Sequence, residues 1–271
     1  MKQNPAVLFL LSLLISLTSC KFQTILKKGT VDEKYESAVK YYEEKDYNRA
    51  MQLFDQLVSV MRATDKAEQI YYYYAYCYYY QKDYTLASYY FKRYTTNFPN
   101  TSRTEECAFI SAYCNVLLSP EFSLDQSITY DGIKELQLFV NMYPRSKRVP
   151  ECNDLIDKLR EKLEMKDFKI AKLYYRMEDY AAAIQCLNNA LKEFPESPHR
   201  EEILYLIFKS YHKYALKSVD DKKKERNNKA LLTYNEFISQ YPESEYLPEM
   251  KSLKEKAQKE LTSLYQKTIN K

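Results

Sequence analysis

Residues Glu68–Thr101, EQIYYYYAYCYYYQKDYTLASYYFKRYTTNFPNT, decide the fold. Ala75 is followed after three positions by Tyr78, after twelve by Ala87, after sixteen by Phe91 and after twenty-four by Pro99. These spacings describe a helical hairpin. Tyr71, Tyr74, Ala75 and Tyr78 share one helix face, and Asp83-Tyr84 fall at the reversal. Ala87, Phe91 and Tyr94 line a second helix that Phe98-Pro99 stops. Small residues stand where two helix backbones come close, with bulky ones beside them.

The same frame fits elsewhere. Ala38, Tyr41, Asp46-Tyr47, Ala50 and Phe54 repeat it upstream, with Arg62 in place of the proline. Ala171, Tyr174, Asp179-Tyr180, Ala183, Leu187, Ala190 and Pro195 repeat it downstream. Further second helices are Gly132, Leu136, Phe139, Pro144 and Ala230, Tyr234, Phe237, Pro242. The period of about thirty-four residues and the small/aromatic/proline pattern resemble the tetratricopeptide repeat. The expectation is an all-α tetratricopeptide-repeat superhelix of about five hairpins with a C-terminal capping helix.

Composition agrees. Two glycines, no tryptophan and 29 tyrosines in 271 residues argue against a β-rich or nucleotide-loop fold. The net charge of +4 is mild and its signs are interspersed, so no nucleic-acid surface is expected. Lys222-Lys223-Lys224 is expected to be a solvated loop. His199 and His212 are the only histidines. With no phosphate loop, nucleophile elbow or metal-ligand spacing, neither a catalytic residue nor a metal or cofactor is expected. Cys77, Cys107, Cys114, Cys152 and Cys186 are expected as buried thiols in helix packing, with a long-range bridge as the alternative.

Met1-Lys2 and the apolar run Ala6–Leu17 have the form of an export signal, too short to span a bilayer comfortably. Leu17-Thr18-Ser19-Cys20 resembles the lipobox of bacterial lipoproteins, which implies acylation of Cys20. Each buried methylene contributes roughly 0.8 kcal/mol, so several chains anchor a protein almost irreversibly. Lys21 is not the aspartate that resembles an inner-membrane retention signal, and no acidic run follows. The expected location is therefore the periplasmic face of the outer membrane.

The expected divisions are a signal peptide at 1–19, a lipidated tether at 20–30, hairpins one to three at 31–143, and hairpins four and five with the cap at 144–271. Between Val149-Pro150 and Met177 there is no breaker, so one helix of about 28 residues is expected. Hairpin five is expected to carry a charged loop around Val219–Asn227. Leu247, Met250, Leu253, Ala257, Leu261 and Leu264 make the apolar stripe of the capping helix.

Phe98-Pro99-Asn100-Thr101-Ser102, Tyr143-Pro144-Arg145-Ser146, Phe194-Pro195-Glu196-Ser197 and Tyr241-Pro242-Glu243-Ser244 combine a closing aromatic, a breaker and a capping hydroxyl. With five hairpins, the long fourth first arm and the lipobox, they resemble the BamD-type lipoprotein family of the outer-membrane β-barrel assembly machinery. That resemblance implies a non-catalytic adaptor. Its N-terminal repeats would engage unfolded outer-membrane proteins, and its C-terminal repeats would hold a barrel-forming subunit with periplasmic repeat domains. Other classes are a repeat lipoprotein binding nutrients beside a transporter and a scaffold for cell-wall enzymes.

On a helix, Tyr72, Tyr76 and Tyr79 follow an i, i+4, i+7 line expected to face a peptide-binding groove. Tyr35 and Tyr42 occupy the matching places in hairpin one, and Phe168 and Tyr175 those in hairpin four. Tyrosine rings offer contact area at little entropic cost. The competing expectation is that they cover one another in the core.

Overall fold

The computed structural model describes residues 21–269, so the signal segment and Cys20 lie outside it. Residues 21–28 are helical (α1). There follow α2 (Val31–Glu43), α3 (Tyr47–Val60), α4 (Ala67–Tyr80), α5 (Tyr84–Asn97), α6 (Thr104–Leu118), α7 (Ser127–Met142), α8 (Val149–Arg176), α9 (Tyr180–Glu193), α10 (Arg200–Leu216), α11 (Asp220–Gln240) and α12 (Leu247–Ile269). The described residues contain no strand. Hairpins α2–α3, α4–α5, α6–α7, α8–α9 and α10–α11 are the five expected from the repeats, and α12 follows as the sixth first arm in position.

Two compact units are present among the described residues: 21–120 with 124–159, and 121–123 with 160–269. The division falls within α8, later than the 143/144 division expected from the repeats. In the first unit, Ala38, Ala50, Leu53, Phe54, Ile70, Tyr74 and Cys77 form one continuous core. Tyr71, Ala75, Ala87, Phe91, Tyr94, Cys107 and Cys114 form the next. In the second, Ala171, Leu187, Ile203, Phe208, Ala230 and Phe237 lie in one core with Met250. The alanines of the repeat frame are fully buried, as backbone contact between arms demands. At Gly132 the contact is tighter still: a Cβ there would stand 3.3 Å from Leu159 Cδ1 and 3.6 Å from the Asn115 backbone.

The reversals use one local device three times. Lys45, Lys82 and Glu178 take positive φ of 62°, 64° and 60°. The aspartate after each caps the second arm, Asp46 accepting from Arg49 N–H at 3.2 Å and Asp83 and Asp179 from Leu86 and Ala182 at 3.1 Å. The junctions between hairpins repeat as well. Ser146, Ser197 and Ser244 accept from Arg148, His199 and Tyr246 N–H at 3.0–3.1 Å. Those bonds turn the chain just before the next helix, so the hydroxyl caps the turn and not the helix end.

Two expectations need correction. Residues 220–227 are the first turns of α11, not a loop, and Lys222–Lys224 lie on that helix. Asp220 and Asp221 favour its N-terminus, and Glu225 pairs with both Lys222 and Lys229 at 2.9 Å. A helix stabilised this way carries no apolar stripe to mark its start. The tether expected at 20–30 is likewise helical over 21–28, with Phe22 only 4% exposed.

Candidate peptide-binding face

The tyrosines of α4 divide by depth. Tyr71 and Tyr74 are buried between arms, as the frame requires. Tyr72 and Tyr79 are half-buried, whereas Tyr76 is only 7% exposed. Tyr76 is therefore not a free groove residue. Its ring lies edge-on to Phe91 at 4.9 Å, and its hydroxyl donates to Glu106 of α6. Tyr72 donates to the same carboxylate at 3.3 Å, while the Arg103 guanidinium covers its ring at 4.4 Å. Burial, then the Glu106 charge, pushes the Tyr72 phenol up to about 12. Burial and the hydrogen bond to Glu106 raise Tyr76 as well.

This arrangement recurs. Tyr35, Tyr72 and Phe109 are equally spaced, and Phe168 and Tyr205 keep the same spacing. Each ring is covered by a side chain just ahead of the next first arm. Lys66 stands 4.5 Å from Tyr35, and Arg148 stands 4.2 Å from Phe109. His199 stacks on Phe168 at 4.4 Å and Tyr246 on Tyr205 at 4.2 Å. One turn beyond each cover sits a polar partner. Gln69 accepts from Tyr35 at 2.6 Å, Glu202 pairs with Lys172 at 2.5 Å, and Glu249 pairs with Lys209 at 2.8 Å and accepts from Tyr205. Burial opposes the charge on Lys209, but its bonds to Glu249 and Tyr205 raise its pKa on balance. Tyr35, Tyr72 and Phe168 are thus clasps between successive hairpins, and Phe168 is buried outright.

What remains open to a ligand lies one step round the helix. Tyr42 stacks on Tyr73 at 4.3 Å, and Tyr47 stacks on Tyr80 at 4.6 Å. Tyr42 and Tyr47 meet edge-on at 5.7 Å, closing a four-ring cluster across hairpins one and two. Tyr80 is 47% exposed and Tyr42 half-buried. Tyr79 continues the surface through edge contacts with Tyr80 and Tyr84, both at 5.7 Å. Burial, then the neighbouring Tyr80, raises the Tyr42 phenol, which therefore presents a neutral hydroxyl and a π face. Tyr47, Tyr73 and Tyr80 join this surface although the repeat frame does not mark them as groove residues. Tyr47 was legible only as part of the Asp-Tyr turn, and the other two depend on how adjacent hairpins meet. Of the expected residues, the structure brings Tyr42 and Tyr79 to this surface, places Tyr35 and Tyr72 at its edge, and buries Tyr76.

The thiols of Cys77, Cys107, Cys114 and Cys152 are free and buried, and Cys186 is free and half-buried. Among the described residues no helix is long and apolar enough to cross a membrane.

A family described as YfiO, outer membrane lipoprotein, matches residues 27–227. The outer membrane protein assembly factor BamD of Buchnera aphidicola subsp. Acyrthosiphon pisum is 32% identical over 90 residues, which are 33% of this chain and 36% of that relative. Among solved structures, the tetratricopeptide-repeat domain of P58(IPK) covers 89% of this chain and 68% of its own at 15% identity and a TM-score of 0.41. A putative kinesin light chain of Podospora anserina covers 79% of this chain and 97% of its own at 10% identity and a TM-score of 0.32.

Proposed function

This chain belongs to the YfiO family of outer membrane lipoproteins, and from that premise we propose that it is a non-catalytic adaptor in β-barrel protein assembly, anchored through acylated Cys20 at the periplasmic face of the outer membrane. Its partners in this proposal are unfolded outer-membrane proteins and a barrel-forming subunit with periplasmic repeat domains. The similarity to an assembly factor supports the role, over the 36% of that relative's length that matches.

The observation that carries the proposal is the four-ring cluster of Tyr42, Tyr73, Tyr47 and Tyr80 on hairpins one and two. Rigid rings already packed on one another lose little entropy on binding, and their hydroxyls can satisfy the backbone of an extended peptide. The test is binding of a synthetic peptide copying the C-terminal strand of an outer-membrane barrel. Tyr42→Ala with Tyr80→Ala should weaken it at least tenfold with helicity unchanged; undiminished binding would overturn the assignment of this face. Replacing Tyr72 and Tyr76 instead tests the fold, because both hold Glu106. At the level of the cell, gentle solubilisation and capture through the C-terminus should recover a large membrane barrel with periplasmic repeats. A transporter or a cell-wall synthase in its place would transfer the adaptor to another machine.

A further inference from the structure

Residues 21–28 do not hang free: as α1 they are seated on hairpin one. Phe22 lies edge-on to Tyr41 at 5.6 Å, and the Arg49 guanidinium covers the two rings at 5.5 and 5.6 Å. Ile25 and Leu26, one turn on, pack against the same core. The far end of α1 is fixed too. Gly29 N–H donates to Ile25 carbonyl at 2.9 Å, and a Cβ at Gly29 would stand 2.6 Å from that oxygen, so the turn needs glycine. Thr30 then opens α2 with a capping box, its backbone N–H donating to Glu33 at 2.8 Å and its hydroxyl accepting from Glu33 N–H at 3.2 Å. The outward side of α1 carries exposed Lys21, Gln23, Lys27 and Lys28.

We propose that α1 positions the protein on the membrane, holding the acylated residue at hairpin one and laying its lysine side on anionic phospholipid headgroups. The proposal rests on acylation of Cys20. Chain geometry then limits the distance: Cys20 is two residues before Phe22, and an extended chain advances 3.3–3.6 Å per residue, so its Cα stays within about 7 Å of that of Phe22. A free leash from Cys20 to Thr30, ten steps along the chain, would reach about 35 Å. Hairpin one, with the Tyr42 and Tyr47 side of the candidate face, is thereby kept beside the bilayer. The three lysines add attraction that falls off within a Debye length of the surface.

The experiment uses the full-length acylated protein in vesicles of phosphatidylethanolamine and phosphatidylglycerol. A fluorophore goes on Asn48→Cys, an exposed site beside Arg49, in a Cys186→Ser background, with headgroup-nitroxide lipid as quencher. Strong quenching is expected, and Phe22→Ala should lower it at least threefold. An insertion of about twelve Gly/Ser residues between Cys20 and Lys21, adding about 19 Å of reach while leaving Phe22 seated, should do the same. If Phe22→Ala loses helicity, the insertion decides. Unchanged quenching with the acyl chains present in the intact mass overturns the positioning role and leaves the lipoprotein assignment standing. A mass without acyl chains overturns both.

Discussion

The Arg103 guanidinium stands 4.4 Å from the centroid of the Tyr72 ring, and Glu106, one turn further along α6, accepts the hydroxyl of that same tyrosine at 3.3 Å. Two residues of one hairpin thus grip one residue of the hairpin before it, by its face and by its tip. Arg103 also reaches Glu68 at 3.4 Å, and Glu68 accepts from Tyr94. The clasp therefore ties α4, α5 and α6 together with groups that are only partly shielded from water.

Hydroxyl deletions should separate clasp from core. Tyr76→Phe removes a donor to Glu106 inside a nearly closed site and should destabilise by about 1.5 kcal/mol. Tyr71→Phe should cost no more than about 0.5 kcal/mol, because its buried hydroxyl has no partner among the described residues. Urea midpoints measured side by side check the pair. Equal losses would mean that Glu106 contributes nothing at Tyr76.

Lys45, Lys82 and Glu178 all hold a left-handed backbone that lysine and glutamate adopt only at a cost. Lys82→Gly should therefore raise stability by about 0.5–1 kcal/mol, since glycine takes that conformation freely. Glu178→Gly should gain less, because it forfeits the ion pair with Lys217. Thermal melts of the two variants beside the parent decide the sign. A loss at position 82 would show that glycine's added freedom in the unfolded chain outweighs the relieved strain.

Hairpin existence, the Asp-Tyr reversals and the 28-residue α8 were legible because each rests on residues close in sequence. Alanine at a fixed offset, aspartate before a turn, and the absence of a breaker are local signals. The fate of Tyr76 was not legible. The i, i+4, i+7 line correctly puts Tyr72, Tyr76 and Tyr79 on one side of α4, but whether that side meets solvent depends on α6, whose Glu106 lies 30 residues away from Tyr76. The same holds for α1, where one aromatic, Phe22, decides between leash and docked helix. For α11 the difficulty was different in kind: its first turns are held by charge pairs around Glu225, whose carboxyl those lysines draw down to about 2.

Thiol reactivity should single out one cysteine of the five. Burial pushes Cys77 and Cys114 up to about 12 and Cys152 to about 11, and it also raises Cys107. Cys186 is raised by burial and by Asp167 and Asp179, yet it is half-buried and so within reach of a reagent. Ellman's reagent added to the native protein at about pH 8 should release one equivalent slowly from this set, and Cys186→Ser should abolish it. Unfolding should then release the other four, for a total of five. Two or more from the native state would show that a buried first arm opens on the timescale of the assay.

Alkali should unfold the protein through its tyrosines. A phenol is neutral when protonated, so a folded-state pKa raised from 10 to about 12, as at Tyr72, means that the folded form binds more protons between those values. Its contribution is complete below about pH 10 and is lost as pH rises through about 12. Tyr42, Tyr74 and Tyr76 are raised further still by burial, and Cys77 opens its own window from about 9 to about 12. Within its window each such group removes about 1.4 kcal/mol per pH unit, so several together should give a steep transition. Phenolate absorbance from Tyr42, Tyr72, Tyr74 and Tyr76 and far-ultraviolet circular dichroism should therefore change together, with these four phenols silent until helicity is lost. Tyr76→Phe should make the transition shallower. Smooth ionisation of the 29 tyrosines around pH 10 with helicity retained would mean that the rings of α4 are already open to water.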